Sequence, residues 1–264
     1  MKLQSMSLEF ASNGIAHLVF TESARGNPID GVFCADLNAA SCEIAGRAGL
    51  RCVVITANGR AFSYGGDINT LAADLDRLPH LLVELLSLLN PAIARLQSIE
   101  APMVGAVHGV CAGGMVAIMA ACDILLAGAD ARFVAAYAGI GFSCDAGASI
   151  FLTRRMGISR ARSYLLLNRT LDASAAESVG LVDEVVPMAG LFRRAEEVAA
   201  ALASGPTGAY GEMRQLLLGA SRQPLEAQLE LEMEAVVRCS RGTDAREGLR
   251  AFSEKRDPLF TGSR

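Results

Sequence analysis

The alternation of short apolar runs with helical patterns constrains the fold of this chain most strongly. The segment 15–20 (IAHLVF) alternates in hydropathy, and the segments 52–56 and 103–107 are short β-branched runs that end beside glycine or polar residues. Between them, 81–99 carries leucines at helical spacing, with Pro91 at a kink or in a first turn. Parallel strands need a long return connection, so this order predicts a parallel α/β core.

The last quarter of the chain has a different character, because the strand patterns stop after about residue 188. Amphipathic helical patterns follow at 191–205, 206–220, 224–240 and 244–256. Their apolar faces predict packing against something outside these helices, which favours an oligomer. No low-complexity linker separates the two parts, so 1–188 is interpreted as the core and 189–264 as its helical extension within one continuous domain.

Composition and charge exclude several classes of partner. The chain has 264 residues, a formal net charge of -4 and no block of basic residues, which argues against nucleic acid or an anionic membrane as the main partner. No apolar run reaches the length of a membrane span, and the first residues lack the apolar region of a signal peptide. A cytoplasmic protein is therefore expected.

The cysteines and histidines show no pattern of metal binding. The seven cysteines form no C-x-x-C pair, and their odd number fits a reducing compartment, where we expect them to be buried as small apolar residues. The three histidines, at 17, 80 and 108, lie far apart and lack H-E-x-x-H spacing. No metal site is predicted.

Two segments place glycine pairs at predicted strand-to-helix turns: 61–68 (AFSYGGDI) and 109–123 (GVCAGGMVAIMAACD). The first backbone N–H groups of a helix have no internal acceptor, so such turns can hold an anion or a carbonyl oxygen that gains negative charge. The alternative is that these glycines only close tight turns and allow close packing. Neither segment matches a P-loop or a Rossmann fingerprint.

Both glycine segments resemble the signature segments of the enoyl-CoA hydratase/isomerase family, also called the crotonase family. The likeness continues in order through 106–128, 140–161, 180–187 and 251–260. It implies an α/β crotonase (ClpP/crotonase-like) spiral of ββα units with a C-terminal helical trimerisation region, assembled as a homotrimer or a dimer of trimers. It also implies an acyl-CoA thioester substrate, with CoA present as part of that substrate and no permanently bound cofactor.

The resemblance assigns the thioester oxygen to the backbone N–H groups of Gly66 and Gly114, which would stabilise an enolate. Family hydratases carry two catalytic glutamates, and the matching positions here are Ala117 and Tyr137, counted from Phe133. Hydration by the two-glutamate mechanism is therefore not expected, because Ala117 can neither activate water nor supply a proton.

One acid remains in the right segment, Asp145. Several family isomerases carry a proton-transferring aspartate at this position, and a family dehalogenase carries a nucleophile there. A base in apolar surroundings would have a raised pKa, but Asp145 also stands where it could cap a following helix. Base, nucleophile and helix cap stay open. The dehalogenase hypothesis is weaker, because Asn90 stands near the position of the required histidine.

The leading hypothesis is a double-bond isomerase with Asp145 as proton shuttle. A catalytically inert or regulatory acyl-CoA-binding protein and a hydratase with atypical acid/base residues are the alternatives. The resemblance further implies an acyl pocket that includes Met115, Tyr137 and Phe142, where Tyr137 could hydrogen-bond Asp145 or close the pocket. It implies contacts to the CoA part from Arg25, Ala61, Ser63, Tyr64, Gly65, Asp67, Ile68, Phe252 and Lys255.

Within that set, Arg25 matches a place where basic residues approach the CoA phosphates. Tyr64 would narrow the channel or point to solvent, and Phe252 with Lys255 would meet the adenine end, in some relatives from a neighbouring subunit.

Overall fold

The computed structural model describes residues 3–262, and within this range nine strands form two sheets. The strands are β1 (Met6–Phe10), β2 (Ile15–Phe20), β3 (Cys52–Ala57), β4 (Met103–Val107), β5 (Val110–Ala112), β6 (Ile124–Gly128), β7 (Arg132–Val134), β8 (Thr170–Asp172) and β9 (Glu184–Val186). The larger sheet has the order β1-β2-β3-β4-β6-β9 and the smaller one β5-β7-β8. In the larger sheet β1 runs antiparallel to β2, and every other pairing is parallel.

Helices connect the strands and make up the last quarter of the described chain. They are α1 (Gly31–Gly46), α2 (Ile68–Ala72), α3 (Leu78–Ser98), α4 (Gly114–Ala120), α5 (Ala148–Met156), α6 (Ile158–Leu166), α7 (Ala173–Ser178), α8 (Leu191–Ala203), α9 (Thr207–Gly219), α10 (Leu225–Ser240) and α11 (Thr243–Glu254). Strands therefore end at β9, close to the predicted boundary near residue 188. Pro91 lies inside α3 and not in its first turn. None of the helices within residues 3–262 is both long and apolar enough to cross a bilayer.

The larger sheet is buried on both faces. On one face, α8 contributes Leu191, Ala195 and Ala199 to a cluster with residues of β2, β3, β4 and β6. On the other, α1, α3 and α4 pack into the main core. This double covering explains why β3 and β4 read as continuous apolar runs, as is typical of parallel strands.

The cysteines are free thiols, but only part of the expectation about them is correct. Cys34, Cys52, Cys111 and Cys122 are buried, whereas Cys42 is exposed. Cys144 and Cys239 are partly exposed. Cys42 lies on the outward face of α1, where burial against the sheet does not reach it.

Candidate active site

The two predicted glycine turns lie side by side. Ser63 pairs with Cys111 as a parallel bridge, and its backbone N–H donates to the Val110 carbonyl over 2.9 Å. The Ala112 N–H returns a hydrogen bond to the Ser63 carbonyl over 3.0 Å. Gly65 has φ +82°, and a Cβ there would lie 2.7 Å from the Ala112 carbonyl oxygen. The close approach of the two turns therefore requires glycine at position 65.

Neighbouring hydrogen bonds leave the N–H groups of Gly66 and Gly114 without an acceptor among the described residues. Ile29 pairs with the residues on either side of Gly66. The Ile29 N–H donates to the Gly65 carbonyl over 2.8 Å, and the Ile29 carbonyl accepts from the Asp67 N–H over 3.2 Å. The N–H of Gly113 donates to the Val134 carbonyl over 2.9 Å, whereas Gly114 is the first residue of α4. Two backbone donors thus remain available to a ligand.

Gly66 and Gly114 line a cavity of about 260 Å³ whose other walls are mostly apolar. The remaining lining residues are Ile29, Cys34, Tyr64, Ile68, Leu71, Leu82, Leu85, Leu86, Leu89, Gly113, Ala136, Tyr137, Ile140, Phe142 and Asp145. Among the described lining residues, Asp145 carries the one carboxylate. The structure therefore brings the acid and both glycines to the same cavity.

Asp145 does not cap the helix that follows it. Helix α5 begins at Ala148 behind Gly147, and only the main-chain carbonyl of Asp145 takes part, accepting from the Ala148 N–H over 2.8 Å. The side chain instead points to the cavity, where Oδ1 accepts a hydrogen bond from the Tyr137 hydroxyl over 2.8 Å. A Cβ at Gly114 would lie 3.3 Å from the same oxygen.

Burial is the largest influence on the Asp145 carboxyl and raises its pKa, while the hydrogen bond from Tyr137 opposes that change. Burial and the adjacent carboxylate raise the pKa of the Tyr137 hydroxyl far above its usual range. Tyr137 therefore stays protonated at neutral pH and donates its proton to the hydrogen bond with Asp145. The pair is an acid–base group with a fixed hydrogen-bond donor beside it.

Two alanines in left-handed conformation flank this pair. Ala136 has φ 59° and precedes Tyr137, and Ala146 has φ 50° and follows Asp145. A Cβ at Gly113 would lie 4.0 Å from the Ala136 methyl, and one at Gly114 would lie 3.8 Å from the Ala146 methyl. Left-handed backbone at residues other than glycine is strained and is often found at functional sites.

Two of the three residues expected in the acyl pocket line the cavity, and the third does not. Tyr137 and Phe142 line the cavity, but Met115 is fully buried in the core and does not reach it. Met115 follows the first residue of α4, so its side chain turns into the main core. Ala117, at the position of a hydratase glutamate, is likewise fully buried.

Of the residues expected to contact CoA, Tyr64 and Ile68 line the cavity, whereas Arg25, Ala61, Ser63, Gly65 and Asp67 do not. Tyr64 and Ile68 line the mouth and are more than half exposed. Ala61 and Ser63 are buried in the first glycine segment, where the Ser63 hydroxyl accepts from the Gly65 N–H over 3.1 Å. Asp67 caps α2 by accepting from the Asn69 N–H.

Phe252 and Lys255 do not line the cavity either. Phe252 lies exposed on α11, and Lys255 ends that helix in left-handed conformation.

Arg25 is held by carboxylates, a relationship that its sequence context does not reveal. Its guanidinium lies 2.8 Å from carboxylate oxygens of Glu22, Asp30 and Asp67. Asp30 caps α1 and Asp67 caps α2. Arg25 therefore joins two helix starts beside Gly66, and these contacts compete with any phosphate contact.

Among residues 3–262, no histidine lines the cavity that holds Asp145. His108 is buried and its Nε2 contacts the Gly59 carbonyl over 2.9 Å, while His80 is exposed beside Glu84. Asn90 is exposed on α3 and does not line the cavity. Within residues 3–262, no cluster of three or more His, Cys, Asp or Glu side chains could hold a metal ion.

Sequence reasoning missed the wall of the cavity that α3 contributes. Leu82, Leu85, Leu86 and Leu89 of α3 line it, and their spacing had indicated only an amphipathic helix. In the structure two of the four are half-buried and two lie in the core, and leucine spacing alone does not distinguish a ligand wall from a packing face.

Fold, glycine turns and acid-bearing cavity together define a crotonase-fold protein. A family model described as enoyl-CoA hydratase/isomerase matches residues 11–263. The chain is 32% identical to 1,2-epoxyphenylacetyl-CoA isomerase of Escherichia coli, covering 97% of this chain and 98% of that one. It is 33% identical to a probable enoyl-CoA hydratase of Rhodobacter capsulatus, covering 95% and 96%.

Among solved structures, an enoyl-CoA hydratase/isomerase from Mycobacterium abscessus superposes with a TM-score of 0.92 at 33% identity, covering 97% of this chain and 98% of that one. The chain belongs to the enoyl-CoA hydratase/isomerase family, whose members act on acyl-CoA thioesters.

Proposed function

We propose that this protein is an acyl-CoA double-bond isomerase that works through a thioester enolate. The observation that carries the proposal is the position of Asp145, the one carboxylate among the described cavity residues, next to Gly114. One base suffices to move a proton between two carbons of the same substrate.

The proposed reaction needs only Asp145 and the N–H groups of Gly66 and Gly114, and it neither gains nor loses atoms. A 3-enoyl thioester enters with its carbonyl oxygen between the N–H groups of Gly66 and Gly114. The Asp145 carboxylate removes a proton from C2, and the electron pair spreads into the thioester as a dienolate that the two N–H groups stabilise. The protonated Asp145 then delivers the proton to C4, so that the double bond moves from C3–C4 to C2–C3.

The environment of Asp145 suits both halves of this exchange. The pKa of this carboxyl is raised towards neutral pH. The ionised form is therefore a stronger base, and the protonated form is still acidic enough to return the proton. Tyr137 cannot replace a missing glutamate, because its hydroxyl keeps its proton and already donates to Asp145. A Streptococcus mutans relative named trans-2-decenoyl-[acyl-carrier-protein] isomerase, 30% identical over 95% of this chain, supports the same direction.

Product identification tests the reaction type. We expect the protein to convert a 3-enoyl-CoA into an isomer of identical mass with the absorbance of a conjugated thioester. Formation of a 3-hydroxyacyl-CoA, heavier by one water, from a 2-enoyl-CoA in a parallel assay would instead show a hydratase with atypical groups. Binding of acyl-CoA without any product from 3-enoyl substrates would contradict the isomerase and support an inert or regulatory binding protein.

We also propose that the protein assembles as a homotrimer or a dimer of trimers. Helix α10 exposes Leu225, Leu229, Met233 and Val236, whose spacing places them on one helix face. An apolar stripe of this kind supports an interface between copies. Light scattering should give a mass of three or six chains, and a monomer would contradict the proposal.

Seven free cysteines support a cytoplasmic location.

A further inference from the structure

The apolar wall that α3 contributes to the cavity carries an inference about which acyl groups fit. Leu82 and Leu86 lie one helical turn apart and are half-buried, whereas Leu85 and Leu89 are anchored in the core. Both side chains line the cavity, so the surface that they present there is available to a ligand. These two side chains therefore limit the space that extends from the glycines towards α3.

The size of this space limits the acyl group. The cavity holds about 260 Å³. At roughly 30 Å³ for each water-sized group, this corresponds to about eight or nine non-hydrogen groups. Each methylene that is buried against the apolar lining should increase affinity by about fourfold. This increase should stop once the acyl chain reaches the wall.

The charge of the cavity limits the chemistry of the acyl group. Among the described residues, no lysine, arginine or histidine lines the cavity. The nearby guanidinium of Arg25 is held by Glu22, Asp30 and Asp67. A second carboxylate at the far end of a substrate would find no cation, and it would share a desolvated space with Asp145.

We propose that the cavity selects an uncharged, apolar acyl group of about eight non-hydrogen atoms, and that Leu82 and Leu86 set this limit. This inference rests on the proposed function, because it assumes that the thioester carbonyl lies at Gly66 and Gly114. It goes beyond that function by naming the substrate class, which includes a straight chain or a single ring of that size and excludes dicarboxylic acyl groups.

Binding of saturated acyl-CoA thioesters tests this without requiring turnover. Calorimetry would compare butanoyl-, octanoyl-, dodecanoyl- and octanedioyl-CoA. We expect octanoyl-CoA to bind at least tenfold more tightly than butanoyl-CoA and octanedioyl-CoA, and dodecanoyl-CoA to gain less than threefold over octanoyl-CoA. Equal affinity for octanoyl- and octanedioyl-CoA, or continued gains of fourfold per methylene to dodecanoyl-CoA, would overturn the proposal.

A substitution in the wall provides the second test. Leu86→Phe should weaken octanoyl-CoA binding at least tenfold while butanoyl-CoA binds as in wild type, and Leu82→Phe serves if Leu86→Phe does not fold. Val83→Phe is the matched control, because Val83 is exposed on the same helix and does not line the cavity. Unchanged octanoyl-CoA binding by the folded wall variant would overturn the assignment.

The two proposals fail in different ways. If octanoyl-CoA binds with the expected preference but no 3-enoyl-CoA is isomerised, the substrate class stands and the reaction is wrong. If isomerisation occurs with no preference for acyl length or charge, the reaction stands and the substrate class is wrong. If no acyl-CoA binds, both are overturned.

Discussion

The phenolic hydroxyl of Tyr137 donates a hydrogen bond to Oδ1 of Asp145 over 2.8 Å, at the wall of a largely apolar cavity. This contact sets the Asp145 carboxylate beside Gly114 and opposes the rise in pKa that burial causes. Tyr137 is therefore a positioning residue for the proposed base, and its contribution can be separated from a merely structural one through the dependence of rate on pH.

Tyr137→Phe removes the donor and leaves the ring. Because the lost hydrogen bond stabilised the carboxylate, we expect the pKa of Asp145 to rise further and the acidic limb of kcat/KM to move to higher pH. At the pH where wild type is half-active, the rate should fall by roughly tenfold. Tyr164→Phe is the matched control, because the buried Tyr164 hydroxyl has no hydrogen-bond partner among the described residues. A pH profile identical to wild type would contradict the role of Tyr137.

The raised pKa of Asp145 also predicts a pH dependence of stability. The folded state holds the proton of this carboxyl more tightly than the unfolded state does, so its contribution becomes unfavourable as pH rises from the unfolded pKa of about 4 through the raised folded pKa. Asp145→Asn has no such proton. We expect the free energy of unfolding of Asp145→Asn relative to wild type to increase over this pH window and then stay constant.

Urea unfolding at a series of pH values measures that difference, in which the contributions of all other titrating groups largely cancel. A difference that is independent of pH, or that decreases as pH rises, would show that burial does not raise the pKa of Asp145.

Gly114→Ala should leave a stable protein that reacts slowly. Gly114 begins α4, where alanine is favourable by up to about 1 kcal/mol, but its Cβ would lie 3.3 Å from both Asp145 Oδ1 and Ile29 Cδ1. We expect kcat to fall by about ten- to a hundredfold as the carboxylate is displaced. Gly46→Ala, at the end of α1 with open space around it, should keep full activity. Full activity of Gly114→Ala would contradict the tight geometry.

Gly65→Ala should act differently, through stability. Its backbone has φ +82°, and the new Cβ would lie 2.7 Å from the Ala112 carbonyl oxygen. We expect a loss of about 1 to 3 kcal/mol in the free energy of unfolding, measured by chemical denaturation. A variant as stable as wild type would mean that the two glycine turns can separate without cost.

Arg25→Gln distinguishes a helix-joining role from a phosphate contact. Arg25 is exposed and bound to three carboxylates, so its loss should lower stability by at most about 1 kcal/mol. Affinity for free CoA should change by less than about threefold. A large loss of CoA affinity with unchanged stability would show that Arg25 leaves its carboxylates to bind phosphate.

Local patterns predicted the parts of the fold that depend on local physics. The runs at 15–20, 52–56 and 103–107 became β2, β3 and β4, because a parallel sheet covered on both faces needs continuous apolar strands. The glycine pairs were placed correctly at turns, since Gly65 and Gly113 adopt positive φ. The strand β1, which adds the antiparallel edge, was not predicted.

Contacts between residues far apart in the sequence could not be predicted from local patterns. Arg25 meets Asp67 across forty-two positions, and no local pattern indicates that pairing. The choice between base and helix cap for Asp145 depended on where α5 begins, which Gly147 and Ala148 decide. Met115 was misplaced because a residue in the first turn of α4 can face either the cavity or the core.

The most direct test of the central claim is the rate at which Asp145→Asn converts a saturating 3-enoyl-CoA into the conjugated isomer. Asparagine keeps the shape of the side chain and an oxygen that can accept from Tyr137, so acyl-CoA binding and folding should persist. We expect kcat to fall by at least about a thousandfold while the affinity for octanoyl-CoA stays within a few-fold of wild type. An unchanged kcat in the folded variant would contradict the assignment of Asp145 as the proton shuttle.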